Sequence, residues 1–313
     1  MSDKPNILVV GSINMDLVVR SGHIPSPGET VLGESFATSP GGKGANQAVA
    51  AARLGGRCAM IGRVGHDSFG QTLLAGLKDE GINCEGITQT YDAATGVAII
   101  IVDSAGENTI VVAAGANGMV SPDDIFPRGE LFEQADVVLL QLELPQPTVR
   151  AAADQARRHG CKIVLDPAPA PKQLCDELCR VDVISPNVAE AEMITGERTS
   201  DDRVDKMIAA NFIARGAKAA VLKLGHRGSM IVTADGHFYK VPAYRVDIVD
   251  TTAAGDAFTA ALAVAVARGQ PLQEAARFAN AAGALACAKF GAQAAMPTAS
   301  EVNMLMQDQP RSY

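Results

Sequence analysis

The chain has no tryptophan, 4 tyrosines and 9 phenylalanines in 313 residues. It therefore lacks the aromatic surface on which single-stranded nucleic acids stack their bases. A basic surplus is missing too: 27 Lys+Arg stand against 35 Asp+Glu, a net charge of −8. Binding a nucleic-acid polymer displaces counterions with cationic side chains, and anionic lipid attracts the same groups. No nucleic acid and no membrane surface are expected as partners. No apolar run approaches the ~18 residues of a membrane span. The short polar start, Met1–Pro5, and the brief run Ile7–Val10 do not make a secretory leader. The six cysteines (Cys58, Cys84, Cys161, Cys175, Cys179 and Cys287) are scattered, which suits free thiols in a reducing cytoplasm. Cys175 and Cys179 lie four apart, but no second Cys/His pair is near to complete four metal ligands.

What is present is apolar residue (47%) and glycine (30 residues), enough for a full core with many backbone turns. At roughly 150 residues per domain the length suits two domains or one large one. No repeat, linker or composition break divides it, so a single α/β domain over residues 1–313 is expected. Short apolar runs at Ile7–Val10, Cys58–Ile61, Val137–Leu140, Ile163–Leu165, Val181–Ile184 and Ala219–Leu224 predict buried strands. Between them lie helical stretches: Lys43–Leu54, stopped by Gly55-Gly56; Asp67–Glu80, with Asp67 placed as N-cap; and one from Pro145 to His159. Two long Ala-rich helices, about Ala254–Arg268 and Leu272–Lys289, follow. This alternation predicts a three-layer α/β sandwich with a mainly parallel central sheet. Leu17–Thr38 and Thr95–Ala113 break the rhythm with alternating apolar and polar residues around turns. They predict a small antiparallel β lid from segments at about 14–40 and 95–113.

Four places put unusual residues where strands end or helices begin, which is where open α/β sheets bind ligands. Asn14 and Asp16, two apart on an extended segment, point the same way. An amide beside a carboxylate suits the adjacent hydroxyls of a polyol; an Asx turn is the plainer alternative. Gly41-Gly42-Lys43-Gly44-Ala45-Asn46-Gln47 brings backbone N–H groups to a helix start without the spacing of a Walker A loop or a dinucleotide fingerprint. Asp250-Thr251-Thr252-Ala253-Ala254-Gly255-Asp256 opens a long helix with small residues. Its free N–H groups form a candidate anion cradle beside the Asp256 carboxylate, the pairing that phosphoryl transfer to an alcohol needs. Asn187 and Glu190 share one face of a helix turn, placed for water-mediated contact with Mg²⁺ or for a capping box. Lys223-Leu224-Gly225-His226-Arg227-Gly228 follows another strand, with glycines that admit a flat group or a phosphate tail.

Gly41–Gln47 and Asp250–Asp256, together with Gly11–Asp16 and Leu140-Gln141-Leu142-Glu143, resemble the signatures of the PfkB-type carbohydrate kinases in order along nearly the whole chain. The resemblance implies an ATP-dependent kinase that phosphorylates the 5-hydroxyl of D-ribose, giving D-ribose 5-phosphate and ADP. By the same resemblance Asn14, Asp16, Gly42, Lys43, Asn46 and Glu143 would contact the sugar. Asp256 would be the catalytic base and also hold the sugar, and Ala253, Ala254 and Gly255 the anion hole. Asn187, Lys223, Gly225, Arg227, Gly228, Gly255 and Asn280 would meet ATP. Glu190 would reach Mg²⁺ through water. Asp250, Thr252, Ala286, Lys289, Gly291 and Ala295 would surround an activating K⁺, mostly through backbone carbonyls. A homodimer through lid strands is also implied. Two departures stand out: Ala253 where the family usually has glycine, and Ala295 where it often has serine. Other readings are a kinase for deoxyribose, another pentose, a ketohexose or a nucleoside, and a sugar-binding regulator without catalysis. A Rossmann oxidoreductase is disfavoured, since no strand leads into its glycine fingerprint.

Overall fold

The computed structural model describes residues 4–309. Along the chain the strands are β1 (Asn6–Val10), β2 (Asn14–Ser21), β3 (Gly33–Gly41), β4 (Arg57–Gly65), β5 (Asn83–Thr90), β6 (Gly96–Val102), β7 (Asn108–Ala113), β8 (Val137–Leu140), β9 (Lys162–Leu165), β10 (Val183–Ile184), β11 (Ala219–Lys223), β12 (Ser229–Thr233) and β13 (Phe238–Val241). Among the described residues one sheet holds nine of them, in the order β13-β12-β11-β10-β9-β8-β1-β4-β5. From β5 to β11 every pairing is parallel; β12 and β13 add an antiparallel edge.

A strand alternates its side chains between two faces, and a sheet buried on both needs apolar residues at every position. Ile7 and Val9 of β1 enter one core, while Leu8 and Val10 enter the other. Val137 and Leu139 of β8 face the first core, and Val138 and Leu140 the second. The helices Lys43–Arg53, Ala254–Ala267 and Leu272–Cys287 cover one face. Gln146–Arg158 and Asp202–Ala214 cover the other. Asp67 caps the Ser68–Asp79 helix as expected, accepting from the Gly70 N–H at 2.8 Å.

Several element ends differ from expectation, β4 running on to Gly65 rather than Ile61 among them, and three have a local reason. The strand predicted from Val181 begins at Val183, because the Val181 N–H closes the preceding turn onto the Cys179 carbonyl (2.8 Å). β11 stops at Lys223, because the Leu224 N–H bonds Gly228 O (2.8 Å) across a tight turn. The helix predicted to reach Lys289 ends at Cys287, whose carbonyl accepts from the N–H groups of Val249 and Asp250 instead.

The remaining strands make a four-stranded sheet in the order β3-β2-β6-β7. Its outer pairings are antiparallel, whereas the central β2–β6 pair is parallel. β2 follows β1 and β6 follows β5, so both leave the large sheet at the carboxyl ends of its parallel strands, and they pair in the same direction. All six residues of β7 are exposed. Among the described residues no helix is long and apolar enough to cross a membrane.

Candidate active site

The carboxyl ends of β1, β8, β9 and β11 converge beneath the starts of two helices. Gly42 sets the first start. Its φ of 87° lies in the left-handed region, and a Cβ there would come within 2.7 Å of the Asn14 backbone nitrogen. The turn lets the Ala45 N–H bond Ser12 O (2.9 Å) and the Lys43 N–H bond Glu143 Oε2 (3.1 Å). The Ser12 hydroxyl donates to the same Glu143 oxygen, which fixes the carboxylate that follows β8. Asn14 is buried, and its Oδ1 accepts from Asn117 Nδ2 at 2.7 Å. Asn117 Oδ1 in turn accepts from the Ile13 N–H. Asp16, one pleat further along β2, lies against Gly41, where a side chain would strike its carboxylate.

The second start is the Ala254–Ala267 helix. Its N-cap, Ala253, has φ 57° and is the one non-glycine residue with positive φ among those described. Holding a methyl-bearing residue there costs of order 1–2 kcal/mol. No side chain caps this start; the Ala254 N–H reaches back to Thr251 O at 3.3 Å, and a helix start leaves its first N–H groups without intrahelical acceptors. Asp256 sits in that first turn and is buried. Its Oδ2 accepts from Asn46 Nδ2 and its Oδ1 from Gln47 Nε2, both at 3.0 Å. Asn46 Oδ1 is buried without a protein partner. Gln47 Nε2 also donates to Asp166 Oδ2 (2.9 Å). Asp166 Oδ1 accepts from Lys223 Nζ (2.8 Å), which lies under Gly255. Thr259 bonds the Gly255 carbonyl and stands 3.4 Å from Lys223 Nζ.

Five carboxylates (Asp16, Glu143, Asp166, Glu190 and Asp256) thus gather with two lysines. Burial, then Glu143 and Asp256, pushes the Asp16 carboxyl up to about 7. Burial also raises Asp256, helped by Asp166 and opposed by Lys43 and the two amides. For Lys43 burial acts against the charged form, but Asp256, Asp166, Glu143 and Glu190 outweigh it and keep the ammonium protonated. Glu190 is raised mainly by burial, with Lys223 opposing.

Not every predicted site residue reaches this cluster. Asn187 and Glu190 form a full capping box at the Val188–Thr195 helix, yet Glu190 still feels Lys223, Asp166 and Lys43. Arg227 turns away and pairs its Nη1 with the buried Asp205 (2.6 Å). Gly225 and Gly228 shape the β11–β12 turn with φ 59° and 84°. Asn280 spends its Nδ2 on the carbonyls of Val241 and Pro242 (3.2 and 3.0 Å). A separate loop pair collects the cation candidates. Asp250 accepts from the N–H and hydroxyl of Thr252 and from the Gly291 N–H. Lys289 Nζ goes to Glu301 Oε1 (2.6 Å), leaving its backbone toward the loop. The Ala286 carbonyl accepts from the Lys289 N–H, and Ala295 is buried within a short helical turn.

Sequence reasoning missed Ser12, Asn117, Asp166 and Thr259, and left Gln47 and Gln141 without a role. Asp166 alone carried a readable signal: a lone acid directly after the Ile163–Leu165 run, at a strand's carboxyl end.

Residues 4–299 match the description pfkB family carbohydrate kinase. The ribokinase of Bacillus subtilis is 40% identical over 301 residues, covering 96% of this chain and 99% of that protein. The deoxyribokinase of Salmonella typhi is 33% identical over 299 residues, covering 95% and 97%. The Arabidopsis thaliana ribokinase structure, complexed with ribose and ATP, superposes with a TM-score of 0.90 at 32% identity, covering 97% of this chain and 99% of that one. The fold is accordingly the ribokinase-like α/β sandwich with a small second sheet. On sequence and architecture alike, the chain belongs to the pfkB family of carbohydrate kinases.

Proposed function

We propose that this chain transfers the γ-phosphoryl group of ATP to the 5-hydroxyl of D-ribose, giving D-ribose 5-phosphate and ADP. The observation that carries the reading is Asp256: a buried carboxylate in the first turn of a helix that starts without a side-chain cap, held by two amides beside the Asn14–Asp16–Glu143 pocket. Asn14, Asp16, Lys43, Asn46 and Glu143 present donors and acceptors to the sugar, and the unpartnered Asn46 Oδ1 has an acceptor to spare. Asp256 takes the hydroxyl proton as the oxygen attacks phosphorus, and the N–H groups of Ala253, Ala254 and Gly255 face the charge that develops on the phosphoryl oxygens.

Five carboxylates against two lysines leave an acidic surplus that suits a divalent cation arriving with the nucleotide. Mg²⁺ typically keeps several waters and binds through one or two carboxylates plus substrate phosphates, and Glu190 is the carboxylate that would reach it through water. Bound there, Mg²⁺ would supply charge neutralisation between the phosphates. The Asp250–Thr252 and Ala286–Ala295 segments, already joined by Asp250, would hold K⁺ as activator. The whole chain acts as one kinase unit whose lid segments, about 14–40 and 95–113, close over the sugar. The exposed edge strand β7, with Ile110, Val111 and Val112 open to solvent, supports a homodimer through the lid. Six free thiols support a cytoplasmic setting.

A coupled assay of ADP release across D-ribose, deoxyribose, other pentoses, ketohexoses and nucleosides, with Mg²⁺ and with or without K⁺, tests this. D-Ribose is expected to give the highest kcat/KM, with little turnover when sugar is absent. A far better second sugar overturns the substrate, and ribose binding without ADP release overturns the reaction.

A further inference from the structure

Gln47 is fully buried, and the proposed mechanism leaves it without a task. Its two amide hydrogens go to two different carboxylates, Asp166 Oδ2 (2.9 Å) and Asp256 Oδ1 (3.0 Å). Its Oε1 accepts from Gln141 Nε2 at 2.6 Å. Flipping the amide would break all three bonds, so its orientation is locked. The neighbouring Asn46 differs in one respect: its Oδ1 has no protein partner and is free to meet a ligand. Gln47 has no polar group left over, so any part it plays must pass through the residues it holds.

Those residues are the two ends of the site. Asp256 faces the acceptor hydroxyl, while Asp166 is paired with Lys223 beneath Gly255. The chain Lys223–Asp166–Gln47–Asp256 is continuous and buried at every member. A neutral amide is well suited to its middle, because a third negative charge between two carboxylates would add repulsion and an apolar group would leave oxygens unpaired.

We infer that Gln47 is a positioning residue which, with Gln141 locking its amide, orients the Asp256 carboxylate and ties the base to the Asp166–Lys223 pair under the helix start. Base and phosphate cradle are thereby held in one register. The inference rests on the proposal that Asp256 is the base.

The charged groups facing Asp256 are Lys43 from the Lys43–Arg53 helix, Asp166 from the end of β9 and Asp16 from β2, with Lys223 of β11 behind Asp166. None of them is removed by changing Gln47. A hydrogen bond donated to a carboxylate favours its charged form, so losing the Gln47 bond moves proton uptake by Asp256 to higher pH.

The test compares Gln47→Met, Gln141→Met and Asp256→Asn, with melting temperatures confirming that each folds. Rates are measured against pH with sugar and ATP saturating. For Gln47→Met, kcat should fall by about 10- to 100-fold, the scale of a lost hydrogen bond to a charged group. KM for both substrates should stay within about threefold, and the acid limb of kcat should move to higher pH. Gln141→Met should do the same to a smaller degree, through the released Gln47 amide, and it decides the matter if Gln47→Met does not fold. A kcat loss with an unmoved acid limb in both variants, or a loss confined to sugar KM, overturns the inference. Near-normal turnover of Asp256→Asn overturns the base assignment itself; an inactive Asp256→Asn beside unmoved limbs overturns only the role of Gln47.

Discussion

The two sheets spend similar residues in opposite ways. β8 is Val-Val-Leu-Leu and every side chain is buried. β7 carries Ile110, Val111 and Val112 and every residue is exposed. In the first sheet, apolar surface supplies stability to the chain at roughly 25 cal/mol per Å² removed from water. On β7 it supplies none until something covers it. The contrast separates two tasks. The large sheet fixes where the strand ends and helix starts meet; the small one is anchored to the core through Met15, Leu17 and Val97, while its outer strand β7 is held by its ladder of backbone bonds. An element stabilised so weakly within one chain can change position at low cost, which is what a cover over a reaction site requires.

The largest effect should come from the buried side of the comparison. Asp256→Asn keeps the shape and removes the proposed base, so turnover should fall by about 10² to 10⁴, measured by ADP release at saturating sugar. Near-normal turnover would place the base elsewhere. Next, Leu139→Ala in β8 should destabilise the fold by about 2–5 kcal/mol. Val111→Ala in β7 should change it by less than about 0.5 kcal/mol in dilute protein. Urea unfolding of the two side by side would break the comparison if their costs were equal.

Sequence spacing made the parallel sheet, the helix starts at Lys43 and Ala254, and the Asp67 cap legible, because each is a local pattern. The network around Asp256 was not. Gln47, Asp166 and Asp256 are separated by more than a hundred residues, or by ninety, and only the order of β1, β8, β9 and β11 across the sheet brings them together. A single polar residue after an apolar run looks like a strand ending until its neighbours are known. The antiparallel edge β12–β13 and the parallel β2–β6 pair were hidden for a related reason: strand direction is set by where a strand starts, which periodicity does not record.

Two smaller effects concern Asp16, on strand β2 where the small sheet meets the candidate site. With its carboxyl pushed up to about 7, acidification through neutral pH adds a proton and removes an acceptor from the pocket. Sugar KM should rise as pH falls from 8 to 6, by up to about tenfold if protonation abolishes the contact. A flat profile of KM against pH would remove Asp16 from sugar binding. The sign for stability is the reverse. The folded value lies above the unfolded value of 3.8, so between the two the folded chain holds a proton that the unfolded chain does not. This contribution is present at low pH and is lost as pH rises through about 7. Asp16→Asn should therefore raise the melting temperature at pH 8, on the order of 2–4 °C for each kcal/mol relieved, and by clearly less at pH 5, where only part of the window above 3.8 has been crossed. An equal shift at both values would show that the cost of the buried Asp16 charge, with its repulsion from Glu143 and Asp256, is not what the substitution relieves.

β2 begins with Asn14 inside the pocket and runs to Arg20, whose guanidinium lies 5.7 Å from the centre of the Phe290 ring, near Asp250. At about 3.3 Å per residue that is a rod of about 20 Å, clamped along both edges by β3 and β6. A rod gripped in this way carries movement from one end to the other with little bending. The proposed sugar site beside Asn14 and the Arg20–Phe290 contact therefore lie at opposite ends of one strand, the second outside the proposed chemistry. An environment-sensitive dye placed at that contact would read whether sugar moves the strand, with the proposed catalytic carboxylates left untouched.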